Sequence, residues 1–388
     1  MSIASYPKHR ETPQDLAGAV LTIDLPAIQE NWRRLAARAT PAECGAAVKG
    51  NAYGLGIGPV ARALWAAGCR SFFVARPMEG AELRGLLPRE AVIYVLDGLF
   101  PGQADFYAKE DLRPALIAYE EAQEWAAFGR AYGRKLPCAL HVDTGINRLG
   151  FSQAALEALM ADGLSLDGLN IALIMSHLAC ADEPSHALNI RQRDAFAALR
   201  SRFPGVPASI ANSSGIFLGS GYTHDLLRPG IALYGGNPLP GSPNPMLPVA
   251  RLHGTVLQVR EVAADDTVGY GATWTAERPS RIAVLGAGYK DGIPRSLSSR
   301  EPNGPAQVHI AGVNCPVVGR VSMDMMGVDV TALPASAVAR GTRVEIIGDN
   351  IAIDDAAAWA GTISYEILTR LGQRYARVYS GSESEPHS

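Results

Sequence analysis

The chain has 388 residues, of which 47% are hydrophobic and 19% are charged, a composition typical of a globular protein with two domains. Its formal net charge of −3 gives no electrostatic basis for binding nucleic acid or an anionic membrane. The five cysteines are scattered and form no CxxC pair, which favours reduced cytoplasmic thiols over disulfides or a metal site. The segment Met1–Arg10 lacks the apolar stretch of a secretory signal, and no apolar run reaches membrane-spanning length, so we expect a cytoplasmic protein.

The first half of the chain alternates predicted strands with predicted helices. A helix is expected at 25–39, because Pro26 suits a first turn and apolar residues follow at helical spacing. The predicted strands are 44–49, 71–76, 91–96, 112–118, 138–143, 170–178, 207–213 and 226–235, and helical patterns between them include 59–67, 77–87, 120–132, 153–162 and 185–202. This alternation is typical of parallel strands covered by helices.

Eight such strands fit a (β/α)8 TIM-like barrel, which we predict for residues 25–242. A doubly wound open sheet is the alternative, and the lack of a GxGxxG motif after an early strand weakens it. Beyond a proline-rich linker within 237–248, helices become scarce and a smaller, mostly β domain is predicted for 243–380. Its expected strands are 251–262, 280–286, 307–319, 326–330 and 342–348, with a short helix at 354–360 followed by the segment 364–379. A strand near 18–24 could join this domain, and the tail 381–388 is predicted to be disordered.

Polar residues follow almost every predicted barrel strand, at the ends where active sites of this fold gather. They are Lys49, Arg76, Asp97, Asp143, Arg148, His177, Asn212, Ser213, Arg228 and Gly230. Lys49 is the most informative, because burial would lower the pKa of its amine and make it a nucleophile or base. An aldehyde cofactor would form a Schiff base there. The alternative is a lysine whose amine reaches the surface at a strand end.

Other segments suggest how such a cofactor would be held. Ser213, Gly230 and Ile231 lie where this fold often binds phosphate, although the serine could simply form a turn. Arg228 would hold a pyridine nitrogen unprotonated if it faced the ring, and the alternative is an arginine in a salt bridge at the barrel mouth. His177 could equally be a hydrogen-bonded core histidine. Tyr270, between two glycines, could be a general acid or base, or an exposed aromatic in a hairpin turn.

Together these segments resemble the alanine racemases, fold-type III enzymes that use pyridoxal 5′-phosphate. The resemblance covers roughly 30–370 and both predicted domains. The matching segments occur in order along the chain: AAVKGNAYGLG at 46–56, VDTGINRLG at 142–150, SHLACADEP at 176–184, ANSSG at 211–215, RPGIALYG at 228–235, GYGATW at 269–274, GYKDGIPR at 288–295, GRVSMDMM at 319–326 and TISYEIL at 362–368.

The resemblance implies a role for each matching residue. Lys49 would hold the cofactor and act as the base for one enantiomer, and Tyr270 would be the base on the opposite face. Arg228 would face the pyridine nitrogen, and His177 would link this arginine to the catalytic tyrosine. The cofactor phosphate would be bound by Tyr53, Ser213, Gly230, Ile231 and Tyr365, with Asn212 also in the cofactor site. Arg148 and the backbone of Met323 would hold the substrate carboxylate, and Arg148 would also contact the cofactor ring.

The family also implies a homodimer in which the tyrosine and the methionine come from the partner subunit. This sequence departs from the family at His141, where many members carry a carbamylated lysine seven residues before the arginine. A neutral imidazole cannot replace that negative charge, so we expect an anion or an acidic neighbour to compensate beside Arg148.

The implied activity is interconversion of L- and D-alanine. A broad-spectrum, serine or basic-amino-acid racemase is an alternative, although the bulk of Tyr365 favours a small side chain. A non-catalytic pyridoxal-phosphate carrier would lack the second domain and its tyrosine. A decarboxylase would typically use a cysteine of the β domain, and Cys315 lies in no such motif. Both D-alanine biosynthesis and catabolic recovery of L-alanine are compatible with the resemblance.

Overall fold

The computed structural model describes residues 12–298 and 304–381. These residues form two compact units, a barrel unit of residues 25–247 and a β unit that combines residues 12–24 with the described residues from 248 onward. The first strand, β1 (Ala19–Asp24), therefore belongs to the β unit. The segment Met1–Arg10 and the tail predicted to be disordered, apart from Gly381, lie outside the described residues.

The barrel unit is built on short parallel strands. They are β2 (Glu43–Cys44), β3 (Ala46–Ala47), β4 (Ser71–Val74), β5 (Val92–Val95), β6 (Arg113–Leu116), β7 (Pro137–His141), β8 (Asn170–Met175), β9 (Ala208–Ser209) and β10 (Leu226–Leu227). Strands β3 to β9 pair in chain order, and β10 pairs in parallel with β2, which Gly45 joins to β3. The last parallel strand of the barrel unit, β10, therefore pairs with the segment that begins the first, as in a closed barrel. The predicted TIM-like class is confirmed.

Several strands end earlier than the sequence patterns predict. The eighth was expected at 226–235, but β10 has two residues, because Pro229 has no N–H to donate and residues Ile231–Tyr234 form a 3-10 helix. The first was expected to reach Lys49, whereas β3 stops at Ala47. These early ends free backbone N–H groups and side chains at the rim of the barrel.

Helices cover the barrel strands. They are α1 (Leu25–Arg38), α3 (Ile57–Ala67), α4 (Pro77–Leu86), α5 (Ala104–Lys109), α6 (Tyr119–Ala131), α7 (Gln153–Ala161), α8 (Gly163–Gly168) and α9 (Ala187–Arg200). Between α1 and α3, the short segment α2 (Lys49–Tyr53) is a left-handed turn and not an ordinary helix. The sequence did not predict α5 and α8, since six residues are too few to show helical periodicity. The strand residues Phe72 and Phe73 are fully buried, and each such side chain contributes roughly 1.5–3 kcal/mol to folding.

The elements of the β unit after β1 are β11 (Ala250–Val262), β12 (Thr267–Val268), β13 (Trp274–Thr275), β14 (Ser280–Leu285), β15 (Gln307–Ile310), β16 (Val313–Val318), β17 (Met326–Asp329), β18 (Arg343–Ile347), α10 (Ile353–Ala360), α11 (Ser364–Arg370) and β19 (Ala376–Ser380). Eight of its strands form one sheet in the order β14, β17, β16, β15, β18, β11, β1, β19, and β14 also pairs with β11. The run predicted as one strand at 307–319 is two, because Ala311 and Gly312 turn the chain with positive φ.

Further 3-10 helices span Gly215–Phe217, Tyr270–Ala272, Tyr289–Asp291, Arg295–Leu297 and Ala335–Ala337. No helix in the described ranges has the length and apolar character that crossing a bilayer requires.

Candidate active site

Lys49 stands at the rim of the barrel, two residues beyond the end of β3 and at the start of a left-handed turn. The four residues Gly50–Tyr53 all have positive φ, between 53° and 63°. Left-handed backbone costs roughly 1–2 kcal/mol for each residue other than glycine. Local hydrogen bonds offset part of this, since Ala52 N–H donates to the Val48 carbonyl and Gly54 N–H to the Gly50 carbonyl, both at 2.8 Å. The sequence pattern predicted Lys49 as a site residue but did not predict that a left-handed turn follows it.

The surroundings of Lys49 lower the pKa of its amine below the ordinary value. Burial is the largest cause, and the positive charges of Arg148 and Arg228 act in the same direction. The carboxylates of Asp97 and Glu79 oppose them. The amine is therefore easier to deprotonate than a surface lysine, as covalent chemistry with an aldehyde requires.

A set of hydrogen-bond donors converges where the phosphate site was predicted. The Ser213 hydroxyl oxygen accepts hydrogen bonds from the N–H groups of Gly230 at 2.9 Å and Ala232 at 3.2 Å. The Tyr53 hydroxyl lies against Gly230, so closely that a Cβ atom there would come within 2.1 Å of the phenolic oxygen. Ile231 begins the 3-10 helix that follows. These hydroxyl and N–H groups fit the phosphate of pyridoxal phosphate.

Asn212 shapes the turn that carries Ser213. Its side-chain oxygen accepts from Gly215 N–H at 2.9 Å, and its carbonyl accepts from Ile216 N–H at 3.2 Å. The amide therefore fixes the backbone beside the serine.

Arg228 follows β10 directly and is 5% exposed. Its Nη1 donates to the Ser209 hydroxyl and its Nη2 to the Ser176 carbonyl at 2.5 Å. It forms no ion pair with any described residue, so the alternative of a salt-bridged arginine has no support within the chain. Burial lowers its pKa to about 9, which leaves the guanidinium charged at neutral pH. A fixed cation of this kind suits the nitrogen of a pyridine ring.

His177 lies two residues beyond the end of β8, with its carbonyl held by Nε2 of Gln192 at 2.8 Å. Burial is the main cause that lowers the pKa of the imidazole well below its ordinary value, and the charges of Arg228 and Arg148 add to it. The ring is therefore neutral at physiological pH, as a hydrogen-bonding link between other groups requires.

His141 is the last residue of β7 and is 5% exposed. Neither ring nitrogen has a hydrogen-bond partner. Burial, and then the charges of Arg228 and Arg148, lower its pKa to about 4. The imidazole is neutral, as expected, and adds no negative charge to this part of the rim.

Arg148 lies on an exposed loop after β7. The loop is shaped by Asp143, whose Oδ1 accepts from the N–H groups of Gly145 at 2.8 Å and Asn147 at 3.2 Å. Arg148 forms no ion pair with a carboxylate in the described ranges, so none of the acidic residues there compensates for His141. Compensation by a bound anion stays a prediction.

In the β unit, Tyr270 lies at the tip of the hairpin formed by β12 and β13 and is 72% exposed. Gly269 and Gly271 on either side have positive φ, which lets the tip turn tightly. A Cβ atom on Gly271 would come within 3.0 Å of the Arg320 guanidinium. The phenol therefore projects from a hairpin that packs on Gly319 and Arg320, at the turn that the sequence indicated.

Two further predicted residues lie on the β unit surface. Met323 is 51% exposed and its carbonyl accepts from Lys290 N–H at 2.9 Å. Tyr365 lies in the first turn of α11 and is 38% exposed. A cavity of about 690 Å³ in this unit is lined by residues that include Val268, Tyr270, Arg320, Ser322 and Met325.

The barrel unit thus brings together nine of the twelve predicted site residues at the ends of its strands. They are Lys49, Tyr53, Arg148, His177, Asn212, Ser213, Arg228, Gly230 and Ile231. The sequence missed the residues that support them. Ser209 and Gln192 gave no signal, because their partners are distant in sequence. Glu79 stands at the third position of a helix that begins with Pro77, a pattern that indicates a helix cap but not a contact with another segment.

The chain matches two family profiles in succession. The profile "Alanine racemase, N-terminal domain" matches residues 23–238, and "Alanine racemase, C-terminal domain" matches residues 249–379. Among similar proteins, the alanine racemase of Methylobacterium sp. (strain 4-46) is 52% identical over 93% of this chain and 98% of its own length. A catabolic alanine racemase of Agrobacterium fabrum (strain C58 / ATCC 33970) is 47% identical over 94% and 92%.

Solved structures agree with these matches. The alanine racemase from Bartonella henselae, which carries covalently bound pyridoxal phosphate, is 39% identical with a TM-score of 0.89, and the match covers 94% of this chain and 99% of that one. The biosynthetic alanine racemase from Pseudomonas aeruginosa is 36% identical with a TM-score of 0.85 over the same shares. These similarities confirm the predicted enzyme class, cofactor and racemase activity at the level of the family. The chain therefore belongs to the alanine racemase family of pyridoxal-phosphate-dependent isomerases.

Proposed function

We propose that this protein interconverts L- and D-alanine with two bases, the amine of Lys49 and the phenol of Tyr270, acting on opposite faces of the substrate. The observation that carries the proposal is the lowered pKa of Lys49 at the same barrel rim as the donors around Ser213 and Gly230. When bound, pyridoxal phosphate supplies a conjugated electron-withdrawing system that makes the Cα proton of the amino acid acidic.

Lys49 has two tasks in this scheme. Its amine would hold the cofactor covalently, and as a free amine it would take the Cα proton on one face, with its conjugate acid returning one to that face. Attachment of the cofactor and removal of the Cα proton need a neutral amine, and burial favours that form. Two bases are required because a single base would tend to return the proton to the face from which it came.

Arg228 restricts the chemistry to racemisation. Its guanidinium stays charged at neutral pH and is fixed by Ser209 and Ser176, so it would disfavour a proton on a ring nitrogen beside it. A carboxylate at this position would instead stabilise a protonated ring and draw electrons into it. The arginine therefore limits transamination and decarboxylation. Neutral His177 links this cation to the tyrosine base.

The substrate is alanine in this proposal, with its carboxylate held by the Arg148 guanidinium and by the Met323 N–H. Both groups are exposed within one chain. The bulk of the Tyr365 ring favours a small side chain. Parallel assays with alanine, serine and lysine test the substrate, and turnover of serine or lysine without alanine would defeat the assignment.

We also propose that the enzyme is a cytoplasmic homodimer in which Tyr270 and Met323 serve the partner's Lys49. Support comes from the exposure of large side chains on the β unit, where Tyr270, Met323, Met325 and Ile363 are each at least 43% exposed. Surfaces with exposed aromatic and thioether groups are typical of interfaces.

Subunit complementation tests the two bases and the dimer together. Neither Lys49→Ala nor Tyr270→Phe homodimers should racemise alanine at an appreciable rate, because each site lacks one base. A heterodimer of the two variants contains one intact site if Tyr270 comes from the partner, and should regain about half of the activity per dimer. Heterodimers as inactive as the homodimers would contradict the shared site.

A further inference from the structure

Glu79 makes an unusual set of contacts for a residue in the first turn of a helix. Its Oε2 accepts from the N–H groups of Ala75 at 2.9 Å and Arg76 at 3.0 Å, which caps α4. Its Oε1 accepts from the N–H of Gly50 at 2.6 Å, across a sequence separation of 29 residues. The third contact contributes nothing to α4, and it ends on the residue directly after Lys49.

Gly50 opens the left-handed turn, which is a conformation that needs external support. Asn51, Ala52 and Tyr53 each hold a positive φ that side-chain-bearing residues rarely adopt. Such strain persists only where the surroundings fix it. A Cβ atom on Gly50 would meet no atom within 4 Å, so packing does not hold the turn at this point. The hydrogen bond that the Gly50 N–H donates to Glu79 restrains the turn at this point from outside the segment.

The same turn ends at Tyr53, whose hydroxyl lies against Gly230. One short segment therefore carries both the covalent attachment point and a group of the phosphate site. Its conformation sets the separation between the Lys49 amine and the donors around Ser213.

We propose that Glu79 is a positioning residue of the cofactor site, whose carboxylate fixes the left-handed turn so that Lys49 and Tyr53 engage the same cofactor molecule. The inference rests on the proposed roles of these two residues. A charged acceptor is suited to this task, because hydrogen bonds to carboxylates are shorter and stronger than those between neutral groups. The Glu79 charge also opposes the fall in the pKa of Lys49.

Glu79→Gln in the holoenzyme tests the proposal. The amide keeps the shape of the side chain. Its NH2 group, however, faces at least one N–H group that now donates a hydrogen bond to the carboxylate, so that hydrogen bond is lost. The variant should release the cofactor roughly tenfold faster than the wild type on dilution into cofactor-free buffer. The visible absorbance of the lysine-bound cofactor reports its release, in the absence of substrate.

Glu121→Gln is the matched control. Glu121 also lies in the first turn of a barrel helix, α6, and its Oε2 accepts from Ile117 N–H at 3.0 Å. It also accepts from the Leu99 N–H and lies beside Gly98, and none of these residues belongs to the lysine turn. Both variants should lower the melting temperature by similar amounts, because each weakens one cap. Cofactor release that is equally slow in the two variants would overturn the proposal.

Glu79→Asp separates position from charge and serves if the glutamine variant does not fold. Aspartate keeps the charge but is one methylene too short to reach both Gly50 and the α4 cap, so it should also release the cofactor faster. Release at the wild-type rate from Glu79→Asp would assign the effect to charge and overturn the positioning role. Because no substrate is present, such a failure leaves the two-base proposal standing, and that proposal fails separately in the complementation experiment.

Discussion

The phenolic oxygen of Tyr53 lies where a Cβ atom of residue 230 would otherwise stand, 2.1 Å from the ideal Cβ position on Gly230. The Tyr53 ring also contacts Tyr234, with ring centroids 4.7 Å apart. The Tyr234 hydroxyl in turn donates to the Ala47 carbonyl in β3 at 2.8 Å. The turn after Lys49 and the phosphate segment after β10 are thus in direct contact, and any side chain at position 230 would have to displace the Tyr53 hydroxyl.

Gly230→Ala should therefore displace the Tyr53 hydroxyl and weaken cofactor binding. Overpacking of this kind typically costs about 1–3 kcal/mol of stability. The N–H of residue 230 would move as well, and with it the hydrogen bond to Ser213. Titration of the apo-protein with pyridoxal phosphate, followed by tyrosine and tryptophan fluorescence, measures the loss of affinity, and urea unfolding measures the loss of stability.

Gly85→Ala is the control for this substitution. Gly85 lies within α4, and a Cβ atom there would meet nothing within 4 Å. Alanine should stabilise this helix by up to about 1 kcal/mol and leave cofactor affinity unchanged. Normal cofactor affinity in Gly230→Ala would show that the Tyr53 contact has no part in the site.

Hydrophobic patterning predicted the barrel because its strands are buried on both faces and its larger helices are amphipathic. The site residues of the barrel were found for a related reason, since polar groups such as Lys49 and His177 interrupt apolar runs at the strand ends. Patterning could not give the strand lengths. Strands β3, β9 and β10 are two residues long, because the backbone leaves the ladder to form the site.

The left-handed turn could not be predicted from its residues. Asn51 tolerates a positive φ, but Ala52 and Tyr53 have no preference for it, and distant contacts enforce it. The role of Glu79 was hidden for the same reason, because its partner Gly50 is 29 residues away. Local sequence reveals which groups are chemically unusual, whereas the groups that hold them in place depend on the tertiary fold.

Tyr270→Phe should abolish proton transfer on one face of the substrate and preserve it on the other. Net rates cannot reveal this asymmetry, because the two enantiomers have equal free energy and the values of kcat/KM for the two directions must stay equal. The asymmetry can be measured instead from the exchange of the Cα proton for deuterium in D2O. The variant should incorporate deuterium into one alanine enantiomer without inverting it, since the Lys49 amine still removes and returns a proton on its own face.

Tyr132→Phe provides the comparison, since Tyr132 is also exposed but lies at the end of α6. It should racemise alanine at the wild-type rate. Equal loss of deuterium exchange from both enantiomers in Tyr270→Phe would argue against the tyrosine as a base for one face.

His141 should make the protein sensitive to mild acid. Its pKa is about 4 in the folded protein, mainly because of burial, against an ordinary value of 6.5. Between these values the unfolded chain binds more protons than the folded one, so the free energy of unfolding falls as the pH is lowered from 6.5 to 4. A difference of about 2.5 in pKa corresponds to about 3 kcal/mol.

His141→Gln should remove this contribution, because glutamine does not titrate. The loss of stability between about pH 7.5 and about pH 4.5 should be smaller in the variant than in the wild type by about 2 kcal/mol. Urea unfolding at matched protein concentration measures it. His177 remains in both proteins and contributes its own acid sensitivity, so some loss persists. An unchanged pH dependence would show that His141 is protonated as readily in the folded protein as in the unfolded chain.

Arg374 joins two loops of the β unit. Its Nε and Nη2 donate to the Asp291 carboxylate at 2.7 and 2.8 Å, and its Nη1 donates to Asp324 at 2.7 Å. Asp291 is buried and also accepts from Gly288 N–H at 2.9 Å. Asp324 directly follows Met323, so the arginine fixes the backbone that is proposed to bind the substrate carboxylate.

Arg374→Lys should therefore raise the KM for alanine more than it lowers kcat. A lysine keeps the charge but cannot make the paired bonds to Asp291 and reach Asp324 as well, so the N–H of Met323 would lose its fixed position. We expect a loss of about 1–3 kcal/mol of stability, because a buried carboxylate would lose part of its hydrogen bonding. Steady-state kinetics with L- and D-alanine measure the first effect and urea unfolding the second.

Arg370→Lys is the control for this substitution. Arg370 forms an exposed ion pair with Glu366 on the surface of α11, which is worth less than about 1 kcal/mol. Arg374→Lys kinetics that match those of Arg370→Lys would show that the Asp291–Asp324 link stabilises the β unit without positioning the substrate.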